Sequence, residues 1–132
     1  VTLLAGTEAI TKMSLSAVSL DVEPQFEAVS YVWGDPIITI PTILDGHIFQ
    51  ATENLNAALH RLHLPDLDRV LWIDAICINQ NDNSERNSQV LLMVDIYSKC
   101  TKCNAWLGNE DEYTQAALKF LHWCEEDKHI WE

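Results

Sequence analysis

A three-layer α/β domain, with a mostly parallel central sheet and an antiparallel hairpin at its margin, is what the sequence predicts. Three observations carry the prediction. The run Leu71-Trp72-Ile73, continued by Ala75-Ile76, is nearly unbroken in apolar character after a polar stretch from Pro65 to Arg69, as a strand covered on both faces reads. Asp45-Gly46 sits between two strand-like segments and marks a tight hairpin. Beyond that hairpin helix and strand patterns alternate, the order that builds parallel βαβ units.

From the amino end, Ile10 to Leu20 alternates loosely through Met13, Leu15 and Ala17, which suits a half-buried edge strand broken by Asp21 to Pro24. Phe26 to Trp33 is rich in aromatic and β-branched residues and closes in the turn Gly34-Asp35-Pro36. Residues 37–44 and 47–50 form the arms of the hairpin, with Pro41 arguing for an edge position. Thr52 caps a helix in which Leu55, Ala58, Leu59 and Leu62 recur at i, i+3, i+4 and i+7, ending before Pro65.

After the central strand, Asp82-Asn83-Ser84-Glu85 reads as a capping box: Asp82 accepts exposed amides and Glu85 reaches back. The helix it opens carries Val90, Met93, Val94 and Tyr97 as an expected buried stripe. Cys103 to Leu107 reads as a short buried strand ended by Gly108. A last helix begins within Asn109 to Glu112 and turns Ala116, Ala117, Phe120, Leu121 and Cys124 inward, with Glu125-Glu126-Asp127 as a solvated end.

With 132 residues and 48% hydrophobic content, the chain has material for one core, so residues 1–132 are read as a single domain; its abrupt end at Trp131-Glu132 reads as a piece of something longer. Asp and Glu number 20 against 8 Lys and Arg, a formal charge of -12. A phosphate backbone or an anionic membrane would repel such a surface, and no apolar run approaches the roughly 20 residues of a membrane span. A basic protein or segment is the better partner.

Cys100-x-x-Cys103 invites a zinc or redox reading. A zinc site needs about four ligands, and Cys77, His122 and Cys124 offer no second paired spacing. A redox pair would open a helix, whereas this one closes a helix and begins a strand. Buried thiols are therefore expected, with no metal and no resident cofactor. None of the 4 glycines stands in a G-x-G spacing, so no dinucleotide fingerprint or phosphate loop is present.

Asp74 follows the buried strand, at the end where open α/β sheets place their chemistry, and is the first catalytic candidate. Its structural alternative is a carboxylate satisfied by backbone or Trp donors. Glu85 is the second, with capping as its alternative. Ser30, Trp33, Gly34, Asn79, Gln80 and Arg86 are ligand-binding candidates: Trp33 as an aromatic wall beside a glycine that permits close approach, Arg86 as an anion fork, and Asn79 and Gln80 as loop contacts.

Ser30-Tyr31-Val32-Trp33-Gly34-Asp35, Thr52 with Asn54-Leu55 and Ala58-Leu59, the string Leu71 to Gln80, Glu85-Arg86 with Gln89, Met93, Ile96-Tyr97, and Trp106-Leu107-Gly108 together resemble the heterokaryon incompatibility (HET) domain of filamentous fungi. The resemblance implies a TIR-like, Rossmann-like version of the architecture above. It also implies a cytoplasmic module of non-self recognition that triggers programmed cell death, through protein partners or homotypic assembly. The similarity of such domains to Toll/interleukin-1 receptor (TIR) domains adds an alternative, cleavage of NAD as substrate. There Asp74 or Glu85 would stabilise an oxocarbenium-like ribose, with Trp33 stacked on a ring, Ser30 or Asn79 on ribose hydroxyls and Arg86 on phosphate. A carboxylate pair beside Trp33 in one cleft would favour the enzyme. Glu85 folded onto the helix end would favour the interaction module.

Overall fold

The computed structural model describes residues 1–126, with side chains to residue 123. Its strands are β1 (Thr2–Leu3), β2 (Lys12–Ser14), β3 (Glu27–Tyr31), β4 (Thr39–Leu44), β5 (His47–Thr52), β6 (Arg69–Trp72) and β7 (Lys102–Trp106). Its helices are α1 (Glu53–Leu62), α2 (Asp74–Cys77), α3 (Asn83–Lys99) and α4 (Thr114–Glu126). One sheet runs in the order β5-β4-β2-β1-β6-β3-β7. The neighbours β6, β3 and β7 are parallel, whereas β1 is antiparallel to β2 and β6, and β4 to β5.

The three layers follow from the period of a strand. Leu71 points to one face, into a core with Leu55 and Leu59 of α1, Leu3, Met13 and Val29. Trp72 points to the other, where its ring meets Tyr97 of α3 edge-on at 5.7 Å. The motif around Asp74 is therefore half strand and half helix. β6 ends at Trp72, and the remaining apolar residues wind into the single turn of α2, closed by the Cys77 amide on the Ile73 carbonyl at 2.7 Å.

The hairpin forms as read: Leu44 pairs with His47 across Asp45 and Gly46, both at positive φ (49° and 77°), as a two-residue primed turn demands. Pro41, however, is not on an edge strand. β4 lies between β5 and β2, but β2 pairs only with Ile43 and Leu44, so the missing amide of Pro41 disturbs no ladder to β2. β2 itself is an interior strand of only three residues, not the edge strand read from Ile10 to Leu20. Thr52 caps α1 through its hydroxyl, which accepts from the Leu55 amide at 3.3 Å.

Two helices depart from their expected faces. In α3, Ile96 is buried and Met93 and Tyr97 are half-buried, but Val90 and Val94 are 53% and 78% exposed. Residues 90–94 of α3 are all apolar, so the helix has more apolar surface than one sheet contact can cover. In α4, Ala116, Ala117, Phe120 and Leu121 are exposed rather than inward, and the Phe120 ring lies tilted against Trp123 at 5.9 Å. The side chains of Cys124, Glu125 and Glu126 and residue Asp127 lie outside the described set.

Strand β7 is an edge strand and not a buried one. Cys103 on it is exposed, while Cys77 and Cys100 are half-buried; all three thiols are free.

Candidate functional site

At the carboxyl ends of β6, β3 and β7 the aromatic and polar motif residues converge, the place where an open parallel sheet offers a crevice. Asp74 comes two residues after β6 ends. Its Oδ2 accepts from the Trp33 indole Nε1 at 2.9 Å, and its Oδ1 from the Ala75 amide at 2.7 Å. The Tyr31 phenol lies close enough to the same carboxylate to feel its charge. Burial, reinforced by the Asp74 charge, raises the Tyr31 pKa well above the ordinary phenol value, so it remains neutral.

Trp33 lies beyond the end of β3, and the chain passes beneath it through Gly34 at φ +77°, with Asn54 Cβ 3.4 Å from where a Gly34 Cβ would stand. Asn54, in the first turn of α1, donates from Nδ2 to the Val32 carbonyl and accepts at Oδ1 from the Trp106 indole at 2.8 Å. Trp33, Val32 and Trp106, at the ends of β3 and β7, are thus tied to α2 and α1 by indole and amide hydrogen bonds. Tyr97 of α3 adds a donor to the Val29 carbonyl at 3.4 Å. Burial and the Asp74 charge raise its pKa too.

Glu85 goes elsewhere. Its Oε1 accepts from the Asn79 backbone amide at 3.0 Å, while Asp82 caps α3 through Oδ1 on the Ser84 and Glu85 amides at 2.8 and 3.1 Å. The reciprocal arm of the capping box therefore closes on the loop before the helix instead of on the Asp82 amide. Gln80 Nε2 bridges the Asp74 and Ile78 carbonyls at 3.0 and 3.2 Å, and Asn79 Oδ1 accepts from the Asn81 amide at 3.1 Å. Arg86 donates to Asn83 Oδ1 at 2.8 Å. Asp74, Trp33, Gly34 and Gln80 are thus brought into one assembly. Glu85, Asn79 and Arg86 order the loop and the start of α3. No group of three His, Cys, Asp or Glu side chains is arranged to hold a metal among the described residues.

Tyr31, Asn54, Tyr97 and Trp106 also belong to the site; the sequence marked them as motif or helix-stripe residues and not as site candidates. Their polar atoms acquire meaning only when β3, β7 and α1 are neighbours.

Residues 26–131 match the family model described as heterokaryon incompatibility protein (HET). The chain belongs to the HET family. The HET domain is also 41% identical over 98 residues to "Heterokaryon incompatibility protein 6, OR allele" of Neurospora crassa, covering 64% of this chain and 14% of that protein. The chain therefore spans only a small part of the length of the curated relative it matches. No solved structure matches the HET domain. Among its described residues, no helix is long and apolar enough to cross a membrane.

Proposed function

We propose that this HET domain is a protein-contact module of fungal non-self recognition, acting in the cytoplasm, whose clustering through protein partners or like domains triggers programmed cell death. The observation that carries this reading is the disposition of the two candidate carboxylates. Asp74 spends its oxygens on Trp33 and Ala75, and Glu85 spends one of its own on the Asn79 amide. The motif then acts as a framework, holding the strand ends and the α3 start that shape the outer surface. Family membership and the Neurospora relative named for heterokaryon incompatibility support the biological setting.

A charge of -12 opposes spontaneous association of like domains, so clustering needs a partner that supplies positive charge or a tether. The test is expression of the domain, fused to a chemically inducible dimerisation module, in a filamentous fungus. Cell death is expected on adding the dimeriser and not before. Growth unaffected by clustering at equal expression would overturn the proposal. Nicotinamide release from NAD by the clustered, purified domain would replace it with the enzymatic alternative, with Asp74→Asn and Glu85→Gln locating the centre.

A further inference from the structure

A groove of about 750 Å³ runs beside α3, between that helix and the segment from Leu15 to Pro24, with Val70 and Trp72 of β6 at its floor. Its apolar walls are uncovered: Leu15, Val18, Val70 and Leu92 are 44%, 58%, 47% and 40% exposed. Apolar side chains converging from three separate chain segments are not the scattered exposure of an ordinary surface.

The wall formed by α3 has a regular spacing. Glu85, Gln89, Leu92, Ile96 and Lys99 all line the groove. Their steps of four, three, four and three residues are the spacing with which one helix meets another along a seam. This seam extends about 21 Å along the helix axis, four turns. Electrostatics narrow the occupant further. Asp21, Asp45, Glu85 and Asp95 border the groove, against the side chain of Lys99.

The geometry points to a docking site for a basic amphipathic helix of a partner protein. It lies alongside α3 with its apolar side chains on the exposed Leu92, Val18 and Val70 and with lysines or arginines opposite Glu85 and Asp95. A second copy of this chain fits poorly, because two domains of charge -12 repel and each of its longer helices α1, α3 and α4 carries at most two Lys or Arg residues. The inference rests on the protein-contact reading above and names the chemistry of the partner. Its test reads binding alone, so failure of clustering to kill cells leaves it standing.

The probe is a fluorescein-labelled synthetic peptide of four helical turns, with leucines at i, i+3, i+4 and i+7 of each repeat and lysines on the other faces. Fluorescence anisotropy against the folded domain at physiological salt is expected to show saturable binding. Leu92→Asp and Asp95→Lys, each checked by circular dichroism, are expected to weaken it at least about tenfold, the scale of one lost central contact. Ile48→Asp, on the far edge strand β5, is expected to leave it unchanged. Equal binding by a peptide of the same composition with scattered leucines would overturn the site, since net charge alone would then suffice. Equal binding by all variants would overturn its location. An unliganded dimer in sedimentation that Leu92→Asp dissociates would overturn the heterotypic partner and give the groove to a second copy.

Discussion

The indole nitrogen of Trp33 stands 2.9 Å from Oδ2 of Asp74, joining the end of β3 to the first residue of α2 across 41 positions of sequence. Each partner supplies what the other lacks. The carboxylate needs donors once it is half-buried, and the indole is a donor with no acceptor function. The bond also explains why a tryptophan that is 41% exposed can hold a fixed position.

A double-mutant cycle of Trp33→Phe and Asp74→Asn measures that bond. Because Trp33 is partly solvated, a coupling of about 1–2 kcal/mol is expected from urea unfolding of the four proteins. Strict additivity of the two changes would mean that the pair is not joined in solution.

Asn54 serves two strand ends at once, donating to Val32 and accepting from Trp106. Asn54→Ala is expected to cost about 1–2 kcal/mol, most of it from the half-buried Trp106 indole, because the exposed Val32 carbonyl can turn to water. Asn54→Asp keeps the acceptor for Trp106 and loses the donor, so its denaturation midpoint is expected between those of wild type and Asn54→Ala.

At the opposite ends of the same strands, Glu27 accepts from Arg69 Nε at 2.9 Å and from Asn104 at 2.8 Å, and Arg69 also donates to the Leu62 carbonyl at 2.8 Å. The hydrogen bond from Arg69, stronger than the opposing effect of burial, holds the Glu27 pKa below its ordinary 4.5. A depressed carboxylate pKa contributes stability that is complete above the unfolded value and lost as pH falls through the folded one. Below about pH 4.5, Glu27→Gln is therefore expected to lose less stability than wild type with each further drop in pH, as followed by thermal unfolding across acidic buffers.

Tyr31 gives the mirror case. Its pKa lies above the ordinary 10.0 because of burial and the Asp74 charge. The neutral phenol contributes stability in full below the unfolded pKa, and that contribution is lost as pH rises from there through the folded value. Tyr31→Phe is expected to show a flatter decline above about pH 10 in denaturation midpoints.

Local chemistry made several elements legible. Asp45-Gly46 required positive φ at both positions, Thr52 offered a cap, and Leu55, Ala58 and Leu59 could reach a core only as one helical face. The specific string Leu71 to Gln80 also carried the family. The boundary inside that string was not legible, because an apolar run reads alike as strand and as buried helix, and the turn at Asp74 depends on Cys77 closing onto Ile73. Nor was the exposed side of α3 or α4, since apolar residues around a helix say how much surface wants covering and not what covers it.

What the sequence by itself determined about this protein is its acidic character, its α/β architecture and its membership of the HET family, all of which rest on residue types and short-range spacing. Only the tertiary structure decided that Asp74 bonds Trp33 while Glu85 bonds Asn79, and that Asn54 joins β3 to β7. The physical reason is that these partners are set by strand order and register, which place β3 between β6 and β7, and no local spacing encodes that neighbourhood.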